Sequence, residues 1–385
     1  MTTNVKVFKS TDTNAAAVIL AGTAGYLINV LQACLVDGYG AANLATQNPI
    51  TRDGTTATAT KTTHGFVIGQ CVLHAGATQT EYNGEHYVTG VPTADTYTFT
   101  VSGTPDTPAT PTGTYITTKQ APAGWTKQWE GTNLAAYLTG GGNSMVLRVD
   151  DTPAQFPRLV GYESMSDINT GVGPFPTAAQ VSGGLYAAKS DAASTAARPW
   201  TIVATDRLMY LFINTTAASA ANNLFIFGDI KSYKSEDAYA TLLAANTSGA
   251  NSSSSGGLMS AIGAVTGGNY MARSYSQVGS SLNVGKHSDF AKGHASAMGY
   301  SGLAYPNGAD GGLYMAPVWA HEIAGPNVRG ELPGLWNPCH AVPLAHLDTL
   351  AGAGTLAGKT FLAWKVNTST LSGMVLIETS NTWSI

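Results

Sequence analysis

The sequence contains little charge. Of its 385 residues only 11% are Asp, Glu, Lys or Arg, whereas globular domains carry roughly 25%. The formal net charge of −4 provides no basic surface, and this disfavours nucleic-acid binding. Enzymes that diffuse freely keep more charge for solubility. The shortage of charged residues therefore indicates a protein whose surface is covered by neighbouring chains, or a Gly- and Thr-rich β protein, or both.

Cysteine is scarce as well. Cys34, Cys71 and Cys339 lie far apart in the sequence and are odd in number. This pattern argues against a disulfide framework and against a cysteine metal cluster. We interpret the three as small apolar core residues.

Long hydrophobic runs are missing, apart from one uncharged stretch over Ala15–Val36. Its length matches a membrane span, but Gly22 and Gly25 interrupt it and polar residues dilute it. We therefore expect neither a transmembrane helix nor a signal peptide there.

The same stretch predicts two short elements. We predict a strand over Ala17–Leu20 and a helix over about residues 24–36. Leu27, Leu31 and Leu35, at i, i+4 spacing, would form the buried stripe of that helix.

Glycine, in contrast, is abundant. The order of the predicted elements becomes clear once the segment Pro49–Thr118 is considered separately from the rest of the chain. Short alternating runs in this stretch predict strands at Phe66–Ile68, Cys71–Leu73, His86–Val88 and Tyr97–Val101. Side chains two residues apart share one strand face. Tyr97, Phe99 and Val101, and likewise His86 and Val88, are therefore expected to line one side of a small sandwich or barrel.

Turn residues separate these runs. Asn83-Gly84 predicts a type I′ hairpin turn, which needs positive φ at both central residues. Thr-Pro repeats from Thr104 to Pro111 cannot continue a strand. The stretch is thus interpreted as a compact all-β module inserted in a host domain.

Outside the module the predicted strands come in antiparallel pairs or stand between closely spaced Gly and Pro residues. They are Met145–Asp150, Leu159–Ser164, Trp200–Ala204, Met209–Ile213, Leu224–Phe227, Leu313–Val318, Thr360–Val366 and Gly373–Glu378. Thr205-Asp206-Arg207 is predicted to be a tight hairpin turn.

We therefore predict a mainly β fold: an α+β host domain with antiparallel hairpins and one N-terminal helix, an inserted all-β module, and a Gly-rich β C-terminal region. The host domain comprises residues 1–48 and 119–245, and the module residues 49–118. Residues 246–257, with four consecutive serines, are predicted to be a Ser/Gly linker or exposed loop. Residues 258–385 form the C-terminal region.

Short motifs occur along most of the chain. Those in and around the module are Leu35–Gly40, His64–Phe66, Tyr82–Gly84, Val101–Pro105 and Ala123–Lys127. Those beyond it are Leu147–Asp151, Gly171–Thr177, Phe227–Asp229, Tyr233–Ser235, Arg329–Trp336 and Ile377–Trp383. Together they resemble virion structural proteins of tailed bacteriophages, among them tail- or head-associated proteins with an inserted small Ig-like β module. The resemblance implies a structural role in the particle and supplies no catalytic motif.

One segment nearly matches a phosphate-binding loop. Residues 353–360 have the sequence Ala-Gly-Thr-Leu-Ala-Gly-Lys-Thr, with Ala in place of the first Gly. A P-loop lies between a strand and a helix whose N-terminus faces the phosphates, whereas Phe361–Val366 alternates like a strand. We interpret the segment as a Gly-rich turn.

Three groups of residues could supply metal ligands, but none has a complete ligand spacing. The groups are His321 with Glu322, then Cys339 with His340 and His346, and within the module His64, His74 and His86. We predict structural or interface roles for them, and neither a metal nor a cofactor.

Two carboxylates about 5–9 Å apart could cleave a glycosidic bond. The candidates are Asp150 or Asp151 with Glu163 or Asp167. The alternative is turn chemistry, because Asp150 begins an Asp-Asp-Thr-Pro sequence of the kind that closes a hairpin. We favour the turn and predict no enzymatic activity.

The module offers one turn with an aromatic side chain. Tyr82 is expected to be exposed beside Asn83, and we name these two residues as candidate contacts for a glycan or a partner. The module's turns lack Trp and Arg, which dominate binding hot spots. A spacer or clamp is therefore favoured over a glycan-binding module.

We predict a non-enzymatic structural subunit of a tailed-phage virion, assembled in the bacterial host cytoplasm, and first of all a tail-tip or baseplate component. The expected partners are copies of itself and other virion proteins, with a host surface glycan as a further candidate. Neither nucleic acid nor a membrane span is expected. The alternatives are a head (capsid) decoration protein and a glycan-binding or glycan-cleaving host-recognition protein.

Overall fold

The computed structural model describes residues 2–216, 222–249, 268–287, 303–325, 327–340, 342–367, 372–380 and 382–385. Over these residues the chain is mainly β, with several antiparallel sheets and little helix, and this confirms the predicted fold class. It forms two compact units. Unit 1 consists of Met1–Val5, Leu20–Ile28 and Gly124–Ile385, and unit 2 of Lys6–Ile19 and Asn29–Ala123.

The elements of the first third of the chain are β1 (Thr2–Asn4), β2 (Lys6–Lys9), α1 (Tyr26–Leu31), β3 (Tyr39–Asn43), β4 (Ile50–Asp53), β5 (Thr56–Thr60), β6 (Cys71–Ala75), β7 (Gly84–Thr93), β8 (Thr96–Thr100) and β9 (Thr117–Gln120). Short 3-10 segments lie at Thr13–Ala15 and Thr80–Tyr82, and a π-helical segment follows α1 at Gln32–Asp37.

The remaining strands up to residue 249 are β10 (Thr126–Gly131), β11 (Leu134–Leu138), β12 (Val146–Asp150), β13 (Arg158–Tyr162), β14 (Ser164–Asp167), β15 (Thr170–Val172), β16 (Leu185–Tyr186), β17 (Trp200–Ala204), β18 (Leu208–Asn214), β19 (Asn222–Asp229), β20 (Lys231–Ser232) and β21 (Thr241–Ala244). The later strands are β22 (Asn269–Met271), β23 (Leu282–His287), β24 (Met315–Glu322), β25 (Val328–Pro338), β26 (Thr349–Ala351), β27 (Thr360–Asn367), β28 (Ser372–Glu378) and β29 (Thr382–Ser384), with a 3-10 turn at Gly354–Leu356.

Unit 2 is built on one antiparallel sheet with the strand order β3-β9-β6-β7-β8-β5-β4. Tyr97, Phe99 and Val101 are buried in its core together with Val88, whereas His86 is half-buried. The predicted common face is thereby confirmed, because alternate residues of β8 point inward. The backbone N–H of Leu44 bonds the carbonyl of Ile116 at 2.8 Å, so the two chain ends of this sheet lie side by side. The predicted module boundaries at residues 49 and 118 stay a prediction.

Two local predictions for this region are wrong, and a third stretch forms strands that were not predicted. Asn83 is extended, with φ −84°, so no type I′ turn forms; the link from β6 to β7 runs through the 3-10 segment instead. Phe66–Ile68 is not a strand, and Ile68 is 67% exposed. The Thr-rich stretch after Pro49, in contrast, forms β4 and β5, because alternate alanines of β5 pack into the core.

Unit 1 contains two larger sheets. One has the order β10-β11-β12-β13-β16, and the other includes the order β17-β18-β19-β21-β22-β23-β24-β25-β28-β27-β26, with β20 paired to β25. The predicted hairpin at Thr205–Arg207 joins β17 to β18. Every residue of β17 and β18 is buried, as expected for a hydrophobic run covered on both faces.

The N-terminal predictions hold only in part. No strand forms over Ala17–Leu20; the next residue, Ala21, makes an isolated bridge to Ala197. The helix begins at Tyr26, directly after Gly25, whose φ of +82° is left-handed and not helical. Leu27, Leu31 and Leu35 are buried as predicted. No helix among the described residues is long and apolar enough to cross a membrane.

The predicted linker over residues 246–257 is only partly within the described residues. Asn246 is buried and exchanges backbone hydrogen bonds with Tyr186. Residues 250–257, which include the four serines, lie outside the described residues.

Candidate interaction surface

The hairpin of β24 and β25 in unit 1 carries exposed aromatic and apolar side chains. Along β24 buried residues alternate with half-buried ones. Ala316, Val318 and Ala320 point inward, while Trp319 and His321 lie on the outer face. This alternation is the period of a strand that is covered on one side.

A bulge in β25 changes the direction of one charged side chain. Trp319 pairs with Glu331 and Ala320 with Gly330, but His321 pairs with Val328, so Arg329 is the extra residue. In a regular strand Arg329 would share the outer face with Glu331. The bulge turns it inward, and its side chain is 1% exposed.

Inside unit 1 the guanidinium of Arg329 is held by two carboxylates. It donates to Asp237 and to Glu322, each at 2.6 Å, and also to the carbonyl of Arg273 at 2.9 Å. All three charged side chains are at most 5% exposed. Buried charges of this kind are tolerated only when they are paired and hydrogen-bonded, so the network fixes the hairpin near its tip in one arrangement.

A second ion pair adjoins this network. Arg273 donates to both carboxylate oxygens of Glu163, at 2.6 and 2.8 Å, and its guanidinium lies 4.5 Å from the ring centre of Tyr239. Bidentate pairs of this type fix orientation as well as charge.

On the outer face, polar and aromatic side chains form a connected row. Lys231 pairs across the sheet with Glu331, and Glu331 with Trp319. The Lys231 ammonium donates to Glu331, the hydroxyl of Tyr233 donates to the same carboxylate, and the indole N–H of Trp319 donates to the Tyr233 hydroxyl oxygen at 3.0 Å. The polar atoms of this row therefore satisfy one another.

Apolar side chains continue this surface toward the hairpin tip. Val328 is 52% exposed and lies directly opposite His321, whose ring covers Gly285, where a Cβ atom would be 2.4 Å from it. Ile323, directly after β24, is 37% exposed. We call Tyr233, Trp319, Ile323 and Val328 the hairpin patch.

The hairpin patch has the composition of a protein–protein contact. Tyr and Trp supply large contact area at low conformational cost and are enriched where proteins meet. Contiguous exposed apolar groups on a rigid element mark interaction sites. Tyr233 is 54% exposed, so the ring remains available although its hydroxyl is already bonded.

The side chains of the two residues predicted as glycan contacts make hydrogen bonds within unit 2. The expectation of an exposed Tyr82 ring is wrong, because its side chain is fully buried and its hydroxyl donates to the carbonyl of Asp106 at 3.1 Å. The Asn83 side chain bonds both the N–H and the carbonyl of Ala77. Both residues thus hold the chain between β6 and β7 in place.

The four candidate carboxylates are also engaged. Asp151 is paired with the buried Lys189, and Glu163 with Arg273. Asp150 accepts a hydrogen bond from the N–H of Thr152, and Asp167 from that of Asn169. These last two are turn contacts, as the sequence indicated for Asp150.

The phosphate-loop candidate and the candidate metal ligands lie in strands, turns and ion pairs of the fold. Residues 353–360 form a 3-10 turn followed by β27, not by a helix, and Lys359 bonds Glu378. His321 and Glu322 lie on a strand. In unit 2 the rings of His74 and His86 lie 5.5 Å apart. Among the described residues no group of three or more His, Cys, Asp or Glu side chains could hold a metal ion.

Sequence analysis did not identify the hairpin patch, although two of the noted motifs contribute to it. The motif at Tyr233–Ser235 and the motif at Arg329–Trp336 meet here, where the N–H of Tyr233 bonds the carbonyl of Arg329 at 2.8 Å. The signal that was available is the alternation from Met315 to Glu322, which places Trp319 on the solvent side of a strand.

Comparison with known proteins gives little further information. No family model and no curated protein matches the chain. Among solved structures, phage phi92 endosialidase is similar at 12% sequence identity, over 90% of this chain and 51% of that one, with a TM-score of 0.17. The chain thus spans about half the length of that protein.

Proposed function

We propose that this chain is a non-enzymatic structural subunit of a tailed-phage virion that associates with copies of itself and with neighbouring virion proteins through the hairpin patch. The observation that carries the proposal is an exposed apolar surface on a hairpin fixed from beneath by Arg329. Only 11% of the residues in the chain are charged. This low charge supports the same function, because charge repulsion and charge desolvation hinder the approach of another surface only weakly.

The phage context comes from the sequence motifs. A tail-tip or baseplate position is our first choice, and head decoration is the alternative. Assembly takes place in the bacterial host cytoplasm, and the virion is the final location. The engagement of Asp151 and Glu163 in ion pairs supports a non-enzymatic role over a glycan-cleaving one.

Sedimentation velocity of the purified chain at micromolar concentration tests the proposal. We expect the wild type to sediment as an oligomer and Tyr233→Ser/Val328→Ser to shift toward the monomer. Val67→Ser is the matched control, because Val67 in unit 2 is 53% exposed and Val328 is 52% exposed; it should behave like the wild type. A monomeric wild type that is also absent from purified particles would contradict the proposal.

A further inference from the structure

Unit 1 contains a lysine and a carboxylate that are both completely buried and in direct contact. The side chains of Lys189 and Asp151 are each 0% exposed, and the ammonium of Lys189 donates to Oδ1 of Asp151. The ammonium also donates to the carbonyl of Thr23 at 2.6 Å. The second carboxylate oxygen, Oδ2, accepts hydrogen bonds from the backbone N–H groups of Leu27 at 2.7 Å and Ile28 at 3.2 Å.

The other lysine–carboxylate pairs of the described residues differ in one respect. Each leaves at least one partner in contact with solvent: Glu85 is 33% exposed in its pair with Lys6, and Lys359 is 38% exposed in its pair with Glu378. The pairs of Lys127 and Lys231 are more open still. Among the lysine–carboxylate pairs in the described part of the chain, water is thus excluded from both partners only at Lys189 and Asp151.

This environment disfavours the charged forms. Burial raises the pKa of Asp151 and lowers the pKa of Lys189, and the attraction between the two opposes both shifts. Removing both charges from water is energetically costly. Transfer of one proton from Nζ to Oδ1 leaves a neutral amine beside a neutral carboxylic acid, which are the two forms that can react with each other.

We propose that Lys189 and Asp151 are joined by an intramolecular amide bond. The lone pair of Nζ attacks Cγ of Asp151, and a C–N bond forms. Negative charge develops on Oδ2, where the N–H groups of Leu27 and Ile28 stabilise it as an oxyanion hole does. Oδ1 then leaves as water, because it carries the proton it first received from Nζ and takes a second one from the same nitrogen.

The reaction balances without a further reactant. One C–O bond breaks, one C–N bond forms, one water molecule is released, and no atom changes oxidation state. The released water departs from a dry site, and two buried charges disappear. The bond would cross-link residues 38 positions apart, and it is independent of the proposed function.

Mass spectrometry of the full-length protein tests this inference. The denatured wild type should be lighter than its sequence by one water molecule, and a proteolytic digest should contain a branched peptide that joins the segments of Lys189 and Asp151. Lys189→Met should have the full mass of its sequence. Lys359→Met, which removes another paired lysine, should retain the loss of water.

Two results would overturn the inference. The first is a wild-type protein at the full mass of its sequence, with a linear peptide that ends at a cleaved Lys189. The second is a loss of water that persists in Lys189→Met, because it would place the dehydration elsewhere. The mass of the wild-type protein and its peptides tests the inference even if Lys189→Met does not fold.

Discussion

The indole N–H of Trp319 donates to the hydroxyl oxygen of Tyr233 at 3.0 Å, and that hydroxyl donates in turn to Glu331. Both aromatic side chains are thereby held in place while the ring of Tyr233 stays exposed. Preorganised aromatic side chains lose little conformational entropy on association. This bonded pair is therefore suited to burying apolar area against another surface.

Removal of the Tyr233 hydroxyl should show whether the hairpin patch associates through the apolar area of the ring or through hydrogen bonds of the hydroxyl. We expect Tyr233→Phe to weaken self-association less than Tyr233→Ser, because the ring that supplies the contact area remains. Association constants from sedimentation equilibrium measure the difference. If Tyr233→Phe is as damaging as Tyr233→Ser, the hydroxyl itself is recognised, as expected for a polar ligand such as a glycan.

Loss of Arg329 should destabilise unit 1 strongly. Arg329→Ala leaves the buried carboxylates of Glu322 and Asp237 without a cation, and breaking such a pair costs about 3–5 kcal/mol. Urea unfolding monitored by tryptophan fluorescence reports unit 1, because all seven tryptophans lie in it. Lys127→Ala breaks a more exposed pair with Glu130 and should change the free energy of unfolding by less than about 1 kcal/mol. Equal effects of the two variants would contradict the structural role of Arg329.

Tyr82 should contribute to stability and not to ligand binding. Truncation of a buried aromatic side chain costs about 3–5 kcal/mol, so Tyr82→Ala should greatly speed hydrogen exchange of unit 2 amides. Tyr82→Phe keeps the buried ring and loses the hydrogen bond to the Asp106 carbonyl, so it should cost less, about 1 kcal/mol. An unchanged exchange rate in Tyr82→Ala would show that the ring is exposed after all.

Unit 2 should lose stability in mild acid. Burial, and then the neighbouring His86, lower the pKa of His74 from 6.5 to about 3, and burial also lowers the pKa of His86. The unfolded state therefore binds protons more readily than the folded state. The stabilisation is complete above about pH 6.5 and is lost progressively as the pH falls toward 3.

His74→Gln cannot titrate and retains a polar side chain near Tyr97, whose hydroxyl bonds His74 at 2.7 Å. We expect it to flatten the pH dependence of unit 2 stability between pH 6.5 and 3. Hydrogen exchange of peptides from β6 and β8 in urea, corrected for intrinsic rates, measures this. His321→Gln in unit 1 should leave the slope unchanged. A slope in His74→Gln as steep as in the wild type would exclude His74 as its source.

Strands made of hydrophobic runs were predictable from the sequence. β17 and β18 formed on either side of the predicted turn at Thr205–Arg207, and β27 and β28 formed at the predicted strands Thr360–Val366 and Gly373–Glu378. The buried face of β8 followed from the period of two between Tyr97 and Phe99. Local pattern was sufficient here because each strand's neighbour lies next to it in sequence.

Features that depend on distant residues were not predictable in this way. Asn83 adopts an extended conformation because its side chain bonds Ala77 and the adjacent Tyr82 is buried, so tertiary contacts override turn propensity. The bulge that turns Arg329 inward depends on carboxylates at Asp237 and Glu322, one of them 92 residues away. The hairpin patch likewise requires Tyr233 and Trp319 to meet across 86 residues.

A cryo-EM reconstruction of the phage particle tests the central claim most directly. The account predicts density for this chain in the virion, with Tyr233, Trp319, Ile323 and Val328 covered by a second copy or by a neighbouring protein. The position of that density would also distinguish a tail-tip or baseplate subunit from a head decoration protein. Absence of the chain from the particle, or a hairpin patch that faces solvent in every copy, would contradict the account.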